Sequence, residues 1–458
     1  MYLQFMKETE EIMRKRWSRI LALSMGLPLL LAMLAACGAG TTGSGGSATA
    51  TPSGPIIVKI GTDYPTTAAD ASAGKPSENG AHLAVNDANA QKLVPGVTFE
   101  FDPKDDVGPS GTHDATVGQR NIADLIGDAE VAGEIGPLNS SVAQAELPEA
   151  NTASFPMISP ANTNDCLTEA LPPDCNGSLD KLPVYRPTGK VTYFRIATRD
   201  QFQGAALADF AFKTKGWKTA YIIDDTETYG VGIATSVQTE WAKLGGTLYG
   251  RSSEAATTTS YVSLLTQIAA KKPDVIFFGG NDSTGGTLIR QQMLQVPALK
   301  NEPMVAGDGT QTSSFATTIG AYKSDGSNGG PVYTSVASVH LTGDAANKFI
   351  SEYSTAYGAS SIGAYSAGSY DCAMVLIQAV KTALASGVKA PANSGDTAQA
   401  PVFRQAVINA IQNIHYTGVT GPIAFDANGD TTSRIISIYT IANPPTGDGW
   451  SFIEQLNV

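Results

Sequence analysis

From residue 56 onward the chain alternates short apolar runs with longer segments of helical spacing. The runs are IIVKIG (56–61), VTFEF (97–101), VAGEIG (131–136), FPMIS (155–159), VTYFRIA (191–197), AYIIDD (220–225), VIFFGG (275–280), PVYTSVA (331–337) and IISIYTI (435–441). They are near-continuously apolar, the pattern of strands covered on both faces. Between them, ENGAHLAVNDANAQ brings Ala81, Ala84, Val85 and Ala88 to one helical face. GIATSVQTEWAKLGG ends in a Gly pair that suits a helix C-cap. Strands alternating with helices predict βαβ units and parallel sheets. Neither a solenoid-length repeat nor a coiled-coil heptad is present.

Open parallel sheets present their functional residues just beyond the carboxyl ends of the strands. Here those positions are Thr62 to Tyr64, Pro137 to Ser141, Pro160 to Thr163, Asp224 to Tyr229, Asn281 to Thr284 and Asp308 to Thr310. Hydroxyls dominate, with carboxylates among them. Such a rim forms hydrogen bonds and is not built for catalysis.

The N-terminus has a different pattern. Lys7, Arg14, Lys15, Arg16 and Arg19 precede an apolar run from Ile20 to Leu34, the n-region and h-region of a secretory signal over residues 1–36. The run falls short of the ~20 residues of a spanning helix. Glu8, Glu10 and Glu11 are unusual in an n-region, and a start at Met13 would remove them. The run ends in Leu34-Ala35-Ala36-Cys37, similar to a bacterial lipobox, so Cys37 is expected to be lipidated and cut free just before it. Residues 38–55 are Gly, Ser and Thr-rich, a flexible tether reaching about 20–25 Å. Two or more acyl chains would hold such a protein stably on a membrane.

The net charge of −12 argues against a nucleic-acid partner, which favours a basic face. Cys166 and Cys175, in NDCLTEALPPDCNG, read as a local disulfide in an oxidising compartment. Cys372 lies in an apolar stretch and reads as a small buried side chain. No Cys pair has metal-ligand spacing.

An ordered series of motifs then carries a family resemblance: VKIGTDYP, GAHLAVNDANA, GPLNSSVAQAELPEANTASFPMISPANTNDCLT, TYFRIATRDQFQG, DDTETYGVG, DVIFFGGNDSTGGTLIRQ, MVAGDG, GAYSAGSYDCAMVLIQAV and GPIAFDANGD. Over about residues 56–440 the chain resembles the type I periplasmic solute-binding proteins, in particular the leucine/isoleucine/valine-binding branch of ABC importers. The resemblance implies an α/β fold of two Rossmann-like lobes with parallel sheets, joined by three hinge crossovers near Ala197–Asp200, Val332–Ser338 and Tyr416–Phe425. Lobe one would hold 56–197 and 337–417, lobe two 198–332 and 425–458, with the ligand in the cleft between them.

The resemblance also nominates site residues. Ser140 matches a contact to an α-carboxylate, and Ser141 follows it. Ser141-Val142-Ala143-Gln144 equally fits a capping box, so the serines could serve only the helix end. Ala161, Asn162 and Thr163 match a loop that offers backbone groups and a hydroxyl to an amino acid, or form a Pro-initiated turn. Tyr229 matches a ligand-contacting aromatic, or is a surface ring beside a Gly turn. Asp308, in GDG, matches the acidic partner of a ligand ammonium, or is a plain Asp-Gly turn. Asp282 stands where the leucine-binding branch often carries an aromatic, and could instead cap the helix beginning near Ser283. Tyr365 matches a lining aromatic, or packs in the core. Ala73 falls where that branch often has a Tyr, a departure that weakens leucine, isoleucine or valine as the ligand.

No metal, cofactor or catalytic residue is expected. DANGD (426–430) has part of a calcium loop but lacks the later bidentate Glu, and reads as an Asn-Gly hairpin turn. His82, His113, His340 and His415 are dispersed, and no zinc-protease, nucleophile-elbow or P-loop motif occurs. The expectation is an extracytoplasmic lipoprotein, not an enzyme, on the outer face of the cytoplasmic membrane or in the periplasm. It would bind a small solute, in particular a branched-chain-like amino acid, and deliver it to ABC transporter permease subunits. The alternatives are a sensor that passes occupancy to a membrane receptor, or a binder of amides, urea-like compounds or aromatic acids. A hydrolase built from dispersed residues ranks below both.

Overall fold

The computed structural model describes residues 55–169, 182–323, 327–443 and 447–458. The expected signal segment, Cys37 and all but the last residue of its tether, and Cys175 lie outside the described residues. Cys166 is disulfide-bonded, and Cys372 is free and buried. Among the described residues no helix is long and apolar enough to cross a membrane.

The first sheet contains β1 (Ile56–Tyr64), β2 (Val97–Asp105), β3 (Val131–Ile135), β4 (Met157–Ser159) and β5 (Tyr193–Arg195). All its pairs are parallel, in the order β2-β1-β3-β4-β5. The second contains β6 (Thr219–Asp224), β7 (Thr247–Ser253), β8 (Val275–Gly279), β9 (Met304–Ala306) and β10 (Val332–Val336). After the short hairpin of β11 (Tyr416–Gly418) and β12 (Gly421–Ile423), β13 (Ile435–Ile441) and β14 (Trp450–Asn457) complete it. Its order is β14-β13-β10-β9-β8-β6-β7, parallel from β7 to β10 and antiparallel across β10, β13 and β14.

Helices cover both faces of both sheets. On the first, α1 (Ala71–Ala90) covers one face, while α2 (Ala115–Gly127) and α3 (Ser140–Thr152) cover the other. On the second lie α4 (Asp200–Asp209), α5 (Thr228–Lys243), α6 (Val262–Ala269), α7 (Thr287–Met293) and α8 (Ser313–Ile319). The chain then returns to the first sheet as α9 (Gly343–Tyr357), α10 (Ser366–Ala385) and α11 (Ala400–Gln412). The period of two along each strand sorts the core. Ala220, Ile222, Val275 and Phe277 face α4 and α5, whereas Tyr221, Ile223, Ile276 and Phe278 face α6 and α7. Ala81, Ala84, Val85 and Ala88 lie together in the core against α10, as their spacing predicts. Local signals set the helix ends. Asp114 accepts the Thr116 and Val117 N–H groups at the start of α2, and Gly245, at φ 79°, turns the chain out of α5.

The chain crosses between the sheets three times, and Thr198 ties the crossings together. Its N–H donates to the Ala337 carbonyl at 2.9 Å and its hydroxyl to the Ile435 carbonyl at 3.2 Å. The third crossing falls at 431–434, further along than the sequence placed it. Ile423 and Phe425 pack in the first core, and Asp430 is bound to Arg195 at the end of β5. The 426–430 segment is a tight turn, closed by Asp426 N–H to the Asp430 carbonyl at 2.8 Å.

Arg195 is fully buried, and four of its five N–H donors are bonded. Its Nε donates to Asp430 at 2.6 Å, and its Nη1 to the Asn164 carbonyl at 2.6 Å. Removing Arg195 takes from the buried Asp430 its closer cation, leaving Arg199 at 3.5 Å, and strips the Asn164 carbonyl and the Thr168 hydroxyl of a donor. Arg195→Met is therefore expected to cost about 3 kcal/mol or more in urea unfolding. An unchanged midpoint would show that the turn is held by its backbone alone.

Candidate functional site

Both sheets reverse strand order beside one cleft. In the first the switch lies between β1 and β3, in the second between β6 and β8. The segments leaving β3, β6 and β8 therefore converge there. The cavity between these segments has a volume of about 50 Å³. Six of the expected residues line it: Ser140, Ala161, Tyr229, Asp282, Asp308 and Tyr365.

Asp308 is the polar centre. The Tyr229 phenol donates to its Oδ1 at 2.9 Å and the Tyr365 phenol to its Oδ2 at 2.6 Å. Tyr229 stands on α5 and Tyr365 precedes α10, so the two lobes meet on this carboxylate. Small residues permit the approach: a Cβ at Gly307 would lie 2.1 Å from the Tyr229 hydroxyl oxygen. Burial pushes the Asp308 carboxyl above its ordinary value, against the hydrogen bonds from Tyr365 and Tyr229 that pull it down. A carboxylate has about four acceptor sites and the phenols take two, leaving room for a further donor.

On the opposite wall, α3 begins at Ser140 with Asn139 as its N-cap and no side-chain cap bond. The capping box read at Ser141 and Gln144 does not form, because Ser141 lies inside the helix and Gln144 accepts from Thr228 of the other lobe at 3.1 Å. The first turn thus keeps its unpaired N–H groups and the positive end of the helix dipole, which suit a carboxylate.

Three expected residues do not line the cavity. Ser141 lies instead beside Glu227 of the other lobe, whose carboxyl its hydroxyl helps hold below the ordinary value. Asn162 is fully buried, donating to the Leu138 carbonyl at 2.7 Å and accepting from Tyr193 at 2.9 Å. Thr163 is fully buried and its carbonyl accepts the Asp200 N–H at 2.7 Å. These loop residues shape the wall from behind.

Asp70 and Gln311, also in the lining, carried no sequence signal of their own. Asp70 accepts both the backbone N–H and the Nδ1 of His113, at 2.8 and 2.9 Å, and the Ser283 hydroxyl from the other lobe. Asn139 and Gln311 add buried amides. Ala73 leaves open the space that a Tyr would fill. Asp282 accepts hydroxyls from Thr312 and, at 2.7 Å, Ser314. The lobes also touch through Ser72 and Ser314, whose hydroxyl oxygens are 2.9 Å apart. The lining holds three carboxylates and neither Lys nor Arg. This arrangement can enclose a small donor-bearing molecule.

Known proteins share the sequence and the fold. An amino acid binding protein of Pseudomonas aeruginosa is 27% identical over 265 residues, 57% of this chain and 63% of the relative, so the match spans under two thirds of that protein. The leucine-binding protein LivK of Thermotoga maritima superposes with a TM-score of 0.68 at 23% identity, covering 87% of this chain and 99% of that one. A solute-binding protein of an ABC transporter from R. palustris, in complex with benzoate, superposes at 0.66 with 18% identity, covering 87% of this chain and 96% of that one. Both likenesses carry the two-lobed α/β fold, and residues 57–447 match the family model itself: the chain belongs to the periplasmic binding protein family.

Proposed function

We propose that this chain is an extracytoplasmic binding protein that captures an amino acid between its lobes and hands it to ABC transporter permease subunits. It would be tethered to the membrane through Cys37 and would catalyse nothing. One observation carries the reading: Asp308, within a buried cleft, faces a space whose other wall is the uncapped start of α3. A zwitterion matches that pair, its ammonium on the carboxylate and its carboxylate on the helix N–H groups. An ammonium beside Asp308 also favours the ionised carboxylate that burial disfavours. Ser140 and Ala161 would contact the ligand's carboxylate end, Tyr229 and Tyr365 its flank. The lining offers no cationic side chain to an aromatic acid. The family and the amino-acid-binding relative support the same reading.

A thermal-shift screen of amino acids, amides and small carboxylates tests it. At 100 times Kd an amino acid should add about 2.7 kcal/mol of stability. Asp308→Ala should abolish that shift while retaining native circular dichroism. If only carboxylates without an ammonium raise the melting temperature, the amino-acid assignment is wrong.

A further inference from the structure

The cleft carries more negative charge than a simple zwitterion can satisfy. Of its three carboxylates, Asp70 is matched by His113. Asp308 matches a ligand ammonium under the reading above. Asp282 is left over. It is buried, 8% exposed, and held by the Thr312 and Ser314 hydroxyls through its Oδ2. Hydroxyls fix its orientation but bring no positive charge. Two further acceptors share the cavity: the Asn139 Oδ1 and Gln311 Oε1 atoms are buried without a protein hydrogen-bond partner. Both residues are more than nine-tenths buried, at 7% and 5% exposure.

We propose that the solute carries a second cationic, N–H-rich group and that Asp282 receives it, which makes the substrate class amino acids with a positively charged side chain. The proposal rests on the cleft being an amino-acid site. The physical case is one of compensation. A branched aliphatic side chain in this cleft would leave the Asp282 charge facing methyl groups, with Asn139 and Gln311 still unpaired, and closure would remove the water that could solvate them. An ammonium or guanidinium at the same place neutralises Asp282 and donates to the amide oxygens. Asp282 is thus the specificity-determining residue, and Thr312 and Ser314 position it.

Calorimetric titration of the mature protein at pH 7 with ornithine, lysine, arginine, leucine, putrescine and benzoate tests this. At least one cationic amino acid should bind about 30-fold tighter than leucine or more. Asp282→Asn should cost that ligand about 30-fold while leucine binds at least as tightly as before. Asp282→Leu, which suits an aliphatic side chain, should reverse the preference. Leucine binding tighter than all three cationic amino acids overturns the proposal and leaves the amino-acid reading standing. So does an equal loss of leucine and cationic ligand in Asp282→Asn. Putrescine binding without any amino acid, abolished by Asp282→Asn, keeps the cation at Asp282 and removes the amino-acid reading. Benzoate alone, or no binding at all, overturns both.

Discussion

Urea unfolding of this protein is expected to require more denaturant at pH 5 than at pH 7, the reverse of a protein held by ionised carboxylates. The cause is four acids packed inside the first lobe: Asp63 on β1, Asp106 after β2, Glu134 on β3 and Glu146 on α3. All four are fully buried. Asp63 and Glu146 act directly on one another, and Asp63 Oδ2 and both Glu146 oxygens lack a protein hydrogen-bond donor. Neither side-chain oxygen of Glu134 or Asp106 has a protein hydrogen-bond partner. The polar neighbours are few: Asn121 donates to Asp63 at 2.9 Å, Lys104 acts on Asp63 and His113 on Asp106. Burial pushes Asp63 up to about 7, and Asp106, Glu134 and Glu146 also rise, by burial first and by one another's charge second.

The sign follows from proton counting. Between the ordinary carboxyl value and the raised one, the folded chain holds protons that the unfolded chain has released, so stability falls as pH rises through that window. A rise from 3.8 to about 7 corresponds to roughly 4 kcal/mol for Asp63 alone, largely spent between pH 4 and 7. Asp70, Asp430 and Glu227 move the other way, and their contribution is lost only as pH falls below the ordinary carboxyl range. Maximal stability is therefore expected near pH 5. Glu134→Gln keeps the shape without the charge, and should raise stability at pH 7 and flatten the slope. Equal unfolding midpoints at pH 5 and pH 7 in the parent protein would refute this account.

These acids also mark where sequence reading stops. VAGEIG reads correctly as a buried strand, but nothing in it says that Glu134 points into a covered face, because charged residues are normally solvated. The parallel strands, the two helical segments and the place of Asp308 just after a strand were legible because each depends on local pattern, an apolar run, a helical face, a turn after a strand, whereas the two lobes came from the family resemblance alone. Edge strands β7 and β14 were not, since TLYGRSS and WSFIEQLN alternate partly exposed positions and carry polar side chains. Ser140 and Ser141 are one residue apart and diverge completely, because a helix turns about 100° per residue and only one of them faces the cleft. Asp70 was invisible for a different reason. Its roles depend on His113, 43 positions away, and Ser283, 213 positions away, which only the closed fold brings together.

That closed contact leads to the second large effect. His113, on the loop after β2, lies between Asp70 of its own lobe and Glu227 of the other, with Nδ1 2.9 Å from Asp70 and Nε2 3.9 Å from Glu227. Burial alone would hold the ring neutral, but the two carboxylates outweigh it and push His113 up to about 10. The ring is therefore an imidazolium at neutral pH. Glu227 is pulled below its ordinary value, chiefly by His113, with help from the Ser141 hydroxyl. Opening the lobes separates Glu227 from His113 and Ser141 and leaves Asp70 paired, so the charge bridge favours the closed state specifically. Its contribution is complete below the ordinary histidine value and is lost as pH rises toward 10. Glu227→Gln, which changes a partly exposed side chain and spares the buried Asp70–His113 pair, should leave folding intact and release bound amino acid about tenfold faster at pH 7. In stopped-flow displacement, the parent protein should approach the variant's rate as pH rises past 9. Small-angle scattering of the ligand-free variant should show a larger radius of gyration than the parent. Equal release rates and equal radii would mean that the lobes are held by their other contacts, Tyr365 on Asp308, Thr228 on Gln144 and the serine contacts.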